Sequence, residues 1–358
     1  MSRLELSPVA RACLDFCEIP SVTGAERALA EHVAARHAGR WPLARLGNSL
    51  VFGGPTGPGR PLVALFGHLD TIAGEPAAPQ VLPDRLVALG ASDMKSGLAI
   101  MSVLMDERAP GDAPHDLAFV FYDREEGPYA DNGLGPLLEE LPWKSSITLA
   151  FCLEPSANRL QLGCLGALHA RVTFRGRRAH SARPWEGENA VHKAGRLLSA
   201  LQARAPREVA FGGLVYREVV SATLAEGGHA RNVVPDRFTL NLNARFAPGR
   251  TLAEAMDEVR ALAHDADAVE FTDLCPSGDV PTGHPWLALL TSRLGLVPEP
   301  KQAWTDVARL STLGIPAVNL GPGEPAQAHQ AGEWVPWSHL EAGLALYRSF
   351  LSLLGSKG

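Results

Sequence analysis

Apolar runs of strand length alternate with amphipathic segments along the first part of the chain. Uninterrupted apolar runs predict buried strands at residues 62–67, 117–122 and 147–153. Apolar positions at helical spacing predict helices at 8–17, 26–37 and 98–104. Strands separated by helices are typical of an α/β domain, in which helices cover a largely parallel sheet.

The pattern changes near Gly163. Alternating apolar and polar residues predict half-buried strands at 168–174, 219–224 and 237–246, and helical spacing predicts helices at 189–201 and 251–263. These segments are typical of an antiparallel sheet with helices. Beyond a loop at 277–285, helix and strand alternate again at 286–294, 306–312, 317–320 and 338–354. We therefore predict an α/β domain made of residues 1–165 and 280–358, into which an α+β domain of residues 166–279 is inserted.

Length, charge and cysteine content limit the classes of protein to consider. A chain of 358 residues is longer than most chains that fold around one hydrophobic core, which agrees with two domains. The formal net charge of -6 gives no positive field, so nucleic acid is not an expected partner. Five cysteines, an odd number, favour reduced thiols. The N-terminus lacks the apolar core of a signal peptide and no run of about 18 apolar residues occurs, so we expect a cytoplasmic protein that does not enter a membrane.

Chemically active side chains follow the predicted strands. His68 and Asp70 lie two residues apart after the first apolar run, so an extended backbone would turn both to one face. Such a pair suits a metal-ligating imidazole with an orienting carboxylate, an acid/base pair, or a capped strand end. Asp93 lies shortly before the helix at 98–104, and the next two strands also end in acids.

Seven acids and imidazoles are expected to meet at one edge of the sheet: His68, Asp70, Asp93, Glu125, Glu126, Glu154 and His329. Each alone has an ordinary interpretation as a helix cap or a solvated side chain. Surface patterning does not produce acids at three consecutive buried-strand ends. Carboxylates and imidazoles from separate connections suit two zinc-class ions that share a carboxylate and a water. The sequence therefore predicts a dinuclear metal centre.

Several motifs carry a resemblance to a known family. They are GHLDT at 67–71, GASDMKSG at 90–97, DREEG at 123–127, EPS at 154–156 and the late His329. In order and spacing they resemble the M20 family of di-zinc amidohydrolases and exopeptidases. The second domain resembles that family's dimerisation domain in a histidine motif, GRRAHSARPWEGENA at 176–190, and in an asparagine motif, ARNVVPD at 230–236. The resemblance implies a zinc-exopeptidase-like α/β catalytic domain with a mixed, largely parallel sheet. It also implies an inserted α+β dimerisation (lid) domain that pairs two copies into a homodimer.

The resemblance further implies two Zn²⁺ ions as cofactors, with Co²⁺ or Mn²⁺ as alternatives in one site. By position, His68 and Glu154 would hold one ion. Glu126 and His329 would hold the other, and Asp93 would bridge the two.

A mechanism of amide hydrolysis is implied in the same way. Asp70 would orient and polarise His68. Glu125 would be the general base, taking a proton from the zinc-bridging water and returning it to the leaving amine. His180, which in the family reaches across from the partner subunit, would stabilise the developing oxyanion together with one zinc.

Two further segments, FYDREE at 121–126 and WTDVARLSTLGIPAVNLGPG at 304–323, resemble the succinyl-diaminopimelate desuccinylases of the actinobacterial type. They imply hydrolysis of N-succinyl-LL-2,6-diaminopimelate to succinate and LL-2,6-diaminopimelate, in lysine biosynthesis. An N-acyl diamino acid with several carboxylates needs cations and amide donors. The expected substrate contacts are Asn232, Arg245, Thr305 and Arg178, with Arg177 and Arg309 as alternatives for the acyl end. One departure leaves the acyl group open, because residues 164–167 are Cys-Leu-Gly-Ala where proteobacterial desuccinylases carry an arginine-containing run.

Three alternatives follow from these observations. Another M20 amide hydrolase, such as an N-acetyl-amino-acid deacetylase or a dipeptidase, would keep every metal ligand and change only the pocket. A catalytically silent binding protein on the same fold would require a lost ligand or base, and none is lost. A nucleotide-binding α/β protein lacks support, because GGPTGPGR at 53–60 has no lysine of a phosphate-binding loop.

Overall fold

The computed structural model describes residues 5–74 and 77–355, which divide into two units. The large unit contains the described residues up to Gly163, Val280–Pro300 and those from Thr305 onward. The small unit contains Cys164–Asp279 and Lys301–Trp304. Residues 1–4, on which the signal-peptide prediction partly rests, lie outside the described residues.

The strands, in chain order, belong to three sheets. They are β1 (Leu43–Leu46), β2 (Ser49–Gly53), β3 (Leu62–His68), β4 (Gln80–Val81), β5 (Arg85–Val87), β6 (Asp116–Tyr122), β7 (Ile147–Cys152), β8 (Gln161–Leu162), β9 (Gly166–Arg175), β10 (Arg207–Phe211), β11 (Leu214–Gly227), β12 (Arg237–Phe246), β13 (Ala268–Cys275), β14 (Glu299–Pro300), β15 (Ala317–Asn319) and β16 (Trp334–Pro336).

The helices, in chain order, are α1 (Pro8–Cys17), α2 (Arg27–His37), α3 (Ser96–Glu107), α4 (Leu134–Glu140), α5 (Ala190–Lys193), α6 (Gly195–Ala203), α7 (Leu252–Leu262), α8 (Pro285–Ser292), α9 (Val307–Thr312) and α10 (Trp337–Gly355). Ser7 caps α1 with its hydroxyl, and Pro8 takes the first helical position, where its missing N–H costs nothing. Thr251 and Glu254 form a capping box at the start of α7.

An eight-stranded mixed sheet organises the large unit, with strand order β1-β2-β6-β3-β7-β15-β8-β14. Strand β3 runs parallel to β6 and β7, and β7 runs parallel to β15. All seven residues of β3 and all seven of β6 are buried, because these central strands are covered on both faces. The carboxyl ends of β6, β3 and β7 therefore lie side by side. A separate three-stranded sheet contains β16, β5 and β4.

An antiparallel sheet, in the order β10-β11-β12-β9-β13, forms the small unit with helices α5 to α7. Strand β12 alternates strictly between buried and partly exposed residues after its first position, as the sequence predicts. Its buried face packs with β9 and α7 through Phe174, Leu240, Leu242 and Val259. The mixed sheet with helices and the antiparallel α+β unit confirm the predicted fold class.

Several elements differ from the sequence prediction. The helix expected at 189–201 is divided into α5 and α6, because the Ala194 N–H bonds to the Val191 carbonyl in a tighter turn. Several strands were not predicted, among them β1, β10 and β13. Every residue of β1 is exposed, so it carries no alternation for the sequence to reveal. Among the described residues, no helix has both the length and the apolar character needed to cross a membrane.

Candidate metal centre

Acids and imidazoles collect where the three central strands of the large unit end. His68 is the last residue of β3, Glu125 and Glu126 follow β6, and Glu154 follows β7. Asp93 lies in the segment just before α3. Because β6, β3 and β7 are neighbours and parallel, their carboxyl ends bring these side chains to one place.

Asp93 lies between two groups of possible metal ligands. Its Oδ1 is 3.3 Å from His68 Nε2, and its Oδ2 is 3.6 Å from His329 Nε2. Glu154 Oε1 completes the first group at 4.0 Å from His68 Nε2. Glu126 Oε2 completes the second at 2.9 Å from His329 Nε2. In each group of three, the ligand atoms lie within 4.8 Å of one another.

The orientation of His68 fits a cation. Its Nδ1 is 2.9 Å from the backbone oxygen of Asp70, which can only accept, so Nδ1 carries the hydrogen. Nε2 is then directed at the carboxylates of Asp93 and Glu154. Burial opposes a charge on this ring, but hydrogen bonds to Asp70 and Asp93 raise its pKa well above the usual range, so without an ion Nε2 carries a proton. A divalent ion can take the place of this proton between the imidazole and the carboxylates, so this donor set suits a metal.

Asp70 holds the turn that carries two of the acids. Its Oδ1 accepts the Glu125 N–H at 3.0 Å, and its Oδ2 accepts the Glu126 N–H at 3.0 Å and the Thr23 hydroxyl at 2.9 Å. Burial alone would raise the pKa of Asp70, but His68 and the two amides lower it, so the side chain remains a carboxylate. Asp70 therefore fixes the orientation of His68 and the backbone of residues 125 and 126 together.

Glu125 stands beside the ligand groups with an altered proton affinity. Its removal from water raises its pKa well above the usual range; Glu154 and Glu126 add to this effect, and His68 opposes it. The preceding residue, Arg124, has a positive φ of 61°, an uncommon conformation for a residue with a side chain. A carboxylate that readily accepts a proton is suited to general base catalysis.

His329 reaches the centre from the late loop, with a positive φ of 62°. The hydrogen bond to Glu126 raises its pKa to about 9, although partial burial opposes this change. Its side chain is 55% exposed, so this edge of the centre faces solvent.

Glu333 is a buried acid that the sequence interpretation missed. Its carboxylate accepts the backbone N–H groups of Gly90 at 2.7 Å, Ser92 at 2.6 Å and Asp93 at 2.7 Å. Burial raises its pKa to about 7, against the effect of these amides. Glu333 thus holds the segment that carries Asp93. The available signal was an acid directly before the apolar residues of β16, a position where a charged residue needs a specific partner.

The glycines of the late loop allow close approach to the ligand-bearing segments. A Cβ on Gly321 would lie 2.1 Å from the Leu153 carbonyl oxygen, and one on Gly323 would lie 2.1 Å from the Ser92 carbonyl oxygen. Only glycine fits at these positions without moving the backbone beside Glu154 or Asp93.

The remaining predicted site residues are divided between the two units. In the small unit, the Ser181 N–H bonds to the Asn232 carbonyl at 2.9 Å, so the loops of His180 and Asn232 lie side by side. Both His180 and Asn232 are exposed. Arg178 pairs with Asp236 at 2.8 Å.

Arg245 lies on β12 of the small unit, where its Nε donates to Asn243 Oδ1 at 3.0 Å and burial lowers its pKa. Thr305 belongs to the large unit and is buried.

Two arginines considered for the acyl end make local contacts within their own units. Arg309 donates to Asp306 at 3.0 Å, stacks 3.9 Å from the ring centre of Tyr129 and donates to the Tyr129 carbonyl at 2.8 Å. Arg177 donates to the Glu186 carbonyl at 3.1 Å. Through these contacts, Arg309 connects α9 to the loop that contains Tyr129.

Comparisons with known proteins give the family. Residues 162–269 match the family model of the M20 peptidase dimerisation domain. A Mycobacterium tuberculosis protein assigned as a succinyl-diaminopimelate desuccinylase, DapE, is 39% identical over 340 residues, which are 93% of this chain and 95% of the relative. The succinyl-diaminopimelate desuccinylase of Corynebacterium glutamicum is 37% identical over 297 residues, which are 81% of this chain and 80% of the relative.

Solved structures share the fold at lower identity. The aminopeptidase PepT of Bacillus cereus superposes with a TM-score of 0.77 at 17% identity and covers 98% of both chains. The YXEP protein of Bacillus subtilis, described as a dinuclear metal binding peptidase from the M20 family, gives a TM-score of 0.68 at 14% identity over 97% of both chains. Together with the near-complete coverage by relatives at 37% to 39% identity, these findings confirm the family inferred from the motifs: the chain belongs to the M20 family.

Proposed function

We propose that this protein is a metal-dependent amidohydrolase that converts N-succinyl-LL-2,6-diaminopimelate to succinate and LL-2,6-diaminopimelate in the cytoplasm. The observation that carries the chemistry is the position of Asp93, whose two oxygens face two separate groups of imidazole and carboxylate ligands. The choice of substrate is supported by the two desuccinylase relatives, which match over most of this chain.

Two metal ions are assigned to the centre. His68 and Glu154 would hold one ion, Glu126 and His329 the other, and Asp93 would contribute to both. Imidazole and carboxylate ligands favour zinc, with Co²⁺ or Mn²⁺ as alternatives in one site. When bound, the ions would polarise the substrate carbonyl and make the attacking water more acidic.

The protein's own residues move and hold the proton. Glu125 would accept a proton from the attacking water and deliver it to the leaving amine of diaminopimelate, a double role that its raised pKa supports. Asp70 supports both the metal ligands and the base: it orients His68, and it binds the backbone amides of Glu125 and Glu126.

The large unit would be the catalytic domain and the small unit the dimerisation domain of a homodimer, a proposal supported by the family match of residues 162–269. His180 would act on the partner's substrate by binding the oxyanion. The proposed substrate contacts remain Asn232, Arg245, Thr305 and Arg178. Arg178 would then bind the substrate while it also pairs with Asp236.

A second candidate, an N-acetyl-amino-acid deacetylase or dipeptidase of the same family, is favoured by the sequence Cys-Leu-Gly-Ala at 164–167. The zinc-loaded enzyme should be assayed with N-succinyl-LL-2,6-diaminopimelate, N-acetyl amino acids and dipeptides at equal concentration. We expect the succinyl substrate to have the highest kcat/KM. Faster turnover of the acetyl or dipeptide substrate would reject the desuccinylase assignment.

The role of Glu125 is tested by Glu125→Gln, with Glu139→Gln, at an exposed residue of α4, as the matched control. We expect Glu125→Gln to keep its zinc content and lose kcat by a factor of about 10² to 10⁴, the usual contribution of a general base. Glu139→Gln should match the wild type. If Glu125→Gln retains most of its rate, another group is the base.

Mixed dimers test whether His180 acts across subunits. Glu125→Gln and His180→Ala homodimers should both be nearly inactive. A dimer with one chain of each kind, isolated through two affinity tags, would contain one site with both defects and one intact site if His180 acts on the partner. Such a dimer should recover about half of the wild-type kcat. If His180 serves its own chain, both sites carry a defect and the mixed dimer stays inactive.

A further inference from the structure

A series of polar side chains crosses one face of the antiparallel sheet in the small unit. The opposite face of this sheet packs against α5 to α7 of the same unit. The helix-free face carries alternate residues of β9 and β12, and four of them are polar and partly exposed: His169, Asn241, Asn243 and Arg245. Most side-chain hydrogen bonds in proteins go to the backbone or to water, so side chains that bond to one another in series are a distinctive feature.

His169 joins two strands of this face. It lies opposite Asn243 in the register of β9 and β12, and its Nε2 is 3.0 Å from Asn243 Nδ2. Its Nδ1 is 3.0 Å from the side-chain amide of Asn241. That amide also lies 2.6 Å from the hydroxyl of Thr223, a residue that a bulge in β11 leaves outside the strand register. At the other end, the Arg245 Nε donates to Asn243 Oδ1 at 3.0 Å.

The direction of each hydrogen bond is set by Arg245. A guanidinium can only donate, so the Asn243 oxygen faces Arg245 and the Asn243 NH₂ group faces His169. The Nε2 atom of His169 must therefore accept, which places the hydrogen of the neutral ring on Nδ1. Nδ1 then donates to the Asn241 amide, which presents its oxygen after a half-turn that keeps its shape. Asn243 thus cannot turn away from Arg245 without also losing its acceptor on His169.

The outer nitrogen atoms of Arg245 remain available. Among the residues that the structure describes, the only hydrogen bond of this side chain is the one from Nε to Asn243. Burial disfavours the charge of the guanidinium and lowers its pKa, so a nearby anion would stabilise it. The two Nη groups form a planar fork that fits the two oxygens of a carboxylate. Because Nε is held, the fork has a fixed direction.

We propose that His169 and Asn243 are positioning residues that hold the guanidinium of Arg245 in the orientation that binds a carboxylate of the substrate. This role rests on the proposed function, in which Arg245 is a substrate contact. It does not depend on the choice of acyl group, because N-succinyl-LL-2,6-diaminopimelate, N-acetyl amino acids and dipeptides all carry a carboxylate. Neither His169 nor Asn243 needs to touch the substrate itself.

Substitutions at Asn243 and His169 test this role through KM. The zinc-loaded enzyme is assayed with whichever of the three substrates has the highest kcat/KM. Asn243→Leu should raise KM about tenfold, the effect of losing a hydrogen bond to a charged group. His169→Leu, one step further from Arg245, should raise KM by a smaller factor. Asn243→Asp keeps an acceptor for Arg245 and should restore most of the affinity, because the imidazole of His169 can carry its hydrogen on Nε2 instead.

The expected pattern separates positioning from a loss of stability. We expect kcat to stay near the wild-type value in all three variants, since the lost interaction is made equally in the ground state and the transition state. Thr239→Val, on the same face of β12 and outside the series, is the matched control and should leave both constants unchanged. Thermal unfolding verifies that each variant is folded. If Asn243→Leu fails to fold, Asn243→Ala removes the same acceptor and takes its place.

A double variant shows whether Asn243 acts through Arg245. Arg245→Gln should itself raise KM, and adding Asn243→Leu to it should raise KM no further, because the group to be positioned is already absent. A wild-type KM in Asn243→Leu, a fall in kcat at unchanged KM, or an additive rise of KM in the double variant would overturn the positioning role.

Nitrogen-15 NMR of the Arg245 Nε–H tests the same contact without substrate. The signal is assigned by its loss in Arg245→Gln, and its hydrogen exchange should be about tenfold faster in Asn243→Leu than in the wild type and Thr239→Val. Equal exchange rates would overturn the positioning role. Hydrolysis of none of the three substrates by the wild type would reject the proposed function, and this role with it. An active wild type with a normal KM in Asn243→Leu would reject the positioning role alone.

Discussion

Replacing Glu333 by glutamine tests whether this buried carboxylate fixes the segment that carries Asp93. Glu333 is 2% exposed. Its Oε1 accepts from the Ser92 and Asp93 amides, and its Oε2 accepts from the Gly90 amide. A glutamine of the same shape can keep the first two hydrogen bonds. Its NH₂ group would then face the Gly90 N–H, so one acceptor is replaced by a second donor.

The expected cost follows from the contact that is lost. A hydrogen bond to a charged group contributes about 1.5 to 3 kcal/mol, and a buried donor without a partner costs about 1 to 3 kcal/mol. Burial of the charged carboxylate is itself unfavourable, as the raised pKa of about 7 for Glu333 indicates. Removing the charge therefore offsets part of the loss. We therefore expect the free energy of unfolding to fall by about 2 to 4 kcal/mol. Loss of a group that orients metal ligands commonly weakens metal binding by about 10- to 100-fold, and we expect the zinc dissociation constant to rise by that factor.

Zinc affinity is measured by competition with a chromophoric chelator, and unfolding by guanidinium titration. The matched control is Glu324→Gln, because Glu324 contacts the Ser92 hydroxyl through its backbone N–H and carbonyl and not through its carboxylate. This control removes the same charge near the same segment. Wild-type zinc affinity in Glu333→Gln, with a change in unfolding free energy below about 0.5 kcal/mol, would refute the positioning role.

Three further predictions concern stability. Burial lowers the pKa of His37 from 6.5 to about 4, so the unfolded chain takes up this proton first as pH falls. The contribution of neutral His37 to the free energy of unfolding is therefore lost as pH falls from 6.5 to 4. Between pH 7.5 and 5 we expect this loss to be about 2 kcal/mol. Urea titrations should find a smaller loss in His37→Gln. Gly321→Ala should destabilise the protein by several kcal/mol and weaken zinc binding, whereas Gly195→Ala, where a Cβ meets nothing within 4 Å, should do neither. Arg309→Lys should lower the unfolding free energy by about 1 to 3 kcal/mol, because its stacking and hydrogen bonds are lost, and should leave KM unchanged. A raised KM at normal stability would instead indicate that Arg309 binds the acyl group of the substrate.

The central strands were predictable because burial leaves a direct trace in the sequence. Strands β3, β6 and β7 are covered on both faces and consist of nearly continuous apolar residues. Strand β12 was predicted with its observed bounds because one face is buried and the other is not. The acids that follow the parallel strands could be expected to meet for the same topological reason.

Edge strands and local breaks left no such trace. Strand β1 is fully exposed, and β10 and β13 consist mainly of exposed or partly exposed residues. Their hydrogen bonds to neighbouring strands, not their own composition, give them their conformation. The turn at Ala194 depends on one backbone hydrogen bond, which composition does not specify.

The supporting contacts of the site were harder to predict than its ligands. Glu333 bonds to amides about 240 positions earlier in the chain, and such a pairing depends on the completed fold. The backbone contacts of Asp70 with Glu125 and Glu126 were missed for the same reason, although Asp70 itself was singled out.

The two supporting acids also bear on the number of metal ions. Six carboxyl groups lie in or beside the centre: Asp70, Asp93, Glu125, Glu126, Glu154 and Glu333. Asp70 and Glu333 have backbone amides as partners, which stabilise their charges without cancelling them. Without an ion, protons balance part of the remaining charge, since the pKa values of Glu125, His68 and His329 are all raised. Divalent ions can replace these protons. When both imidazoles are neutral and the other four carboxyl groups are charged, two ions balance the group, whereas one ion leaves an excess of about two negative charges in a largely buried place. The arrangement of charges is therefore compatible with the two proposed ions.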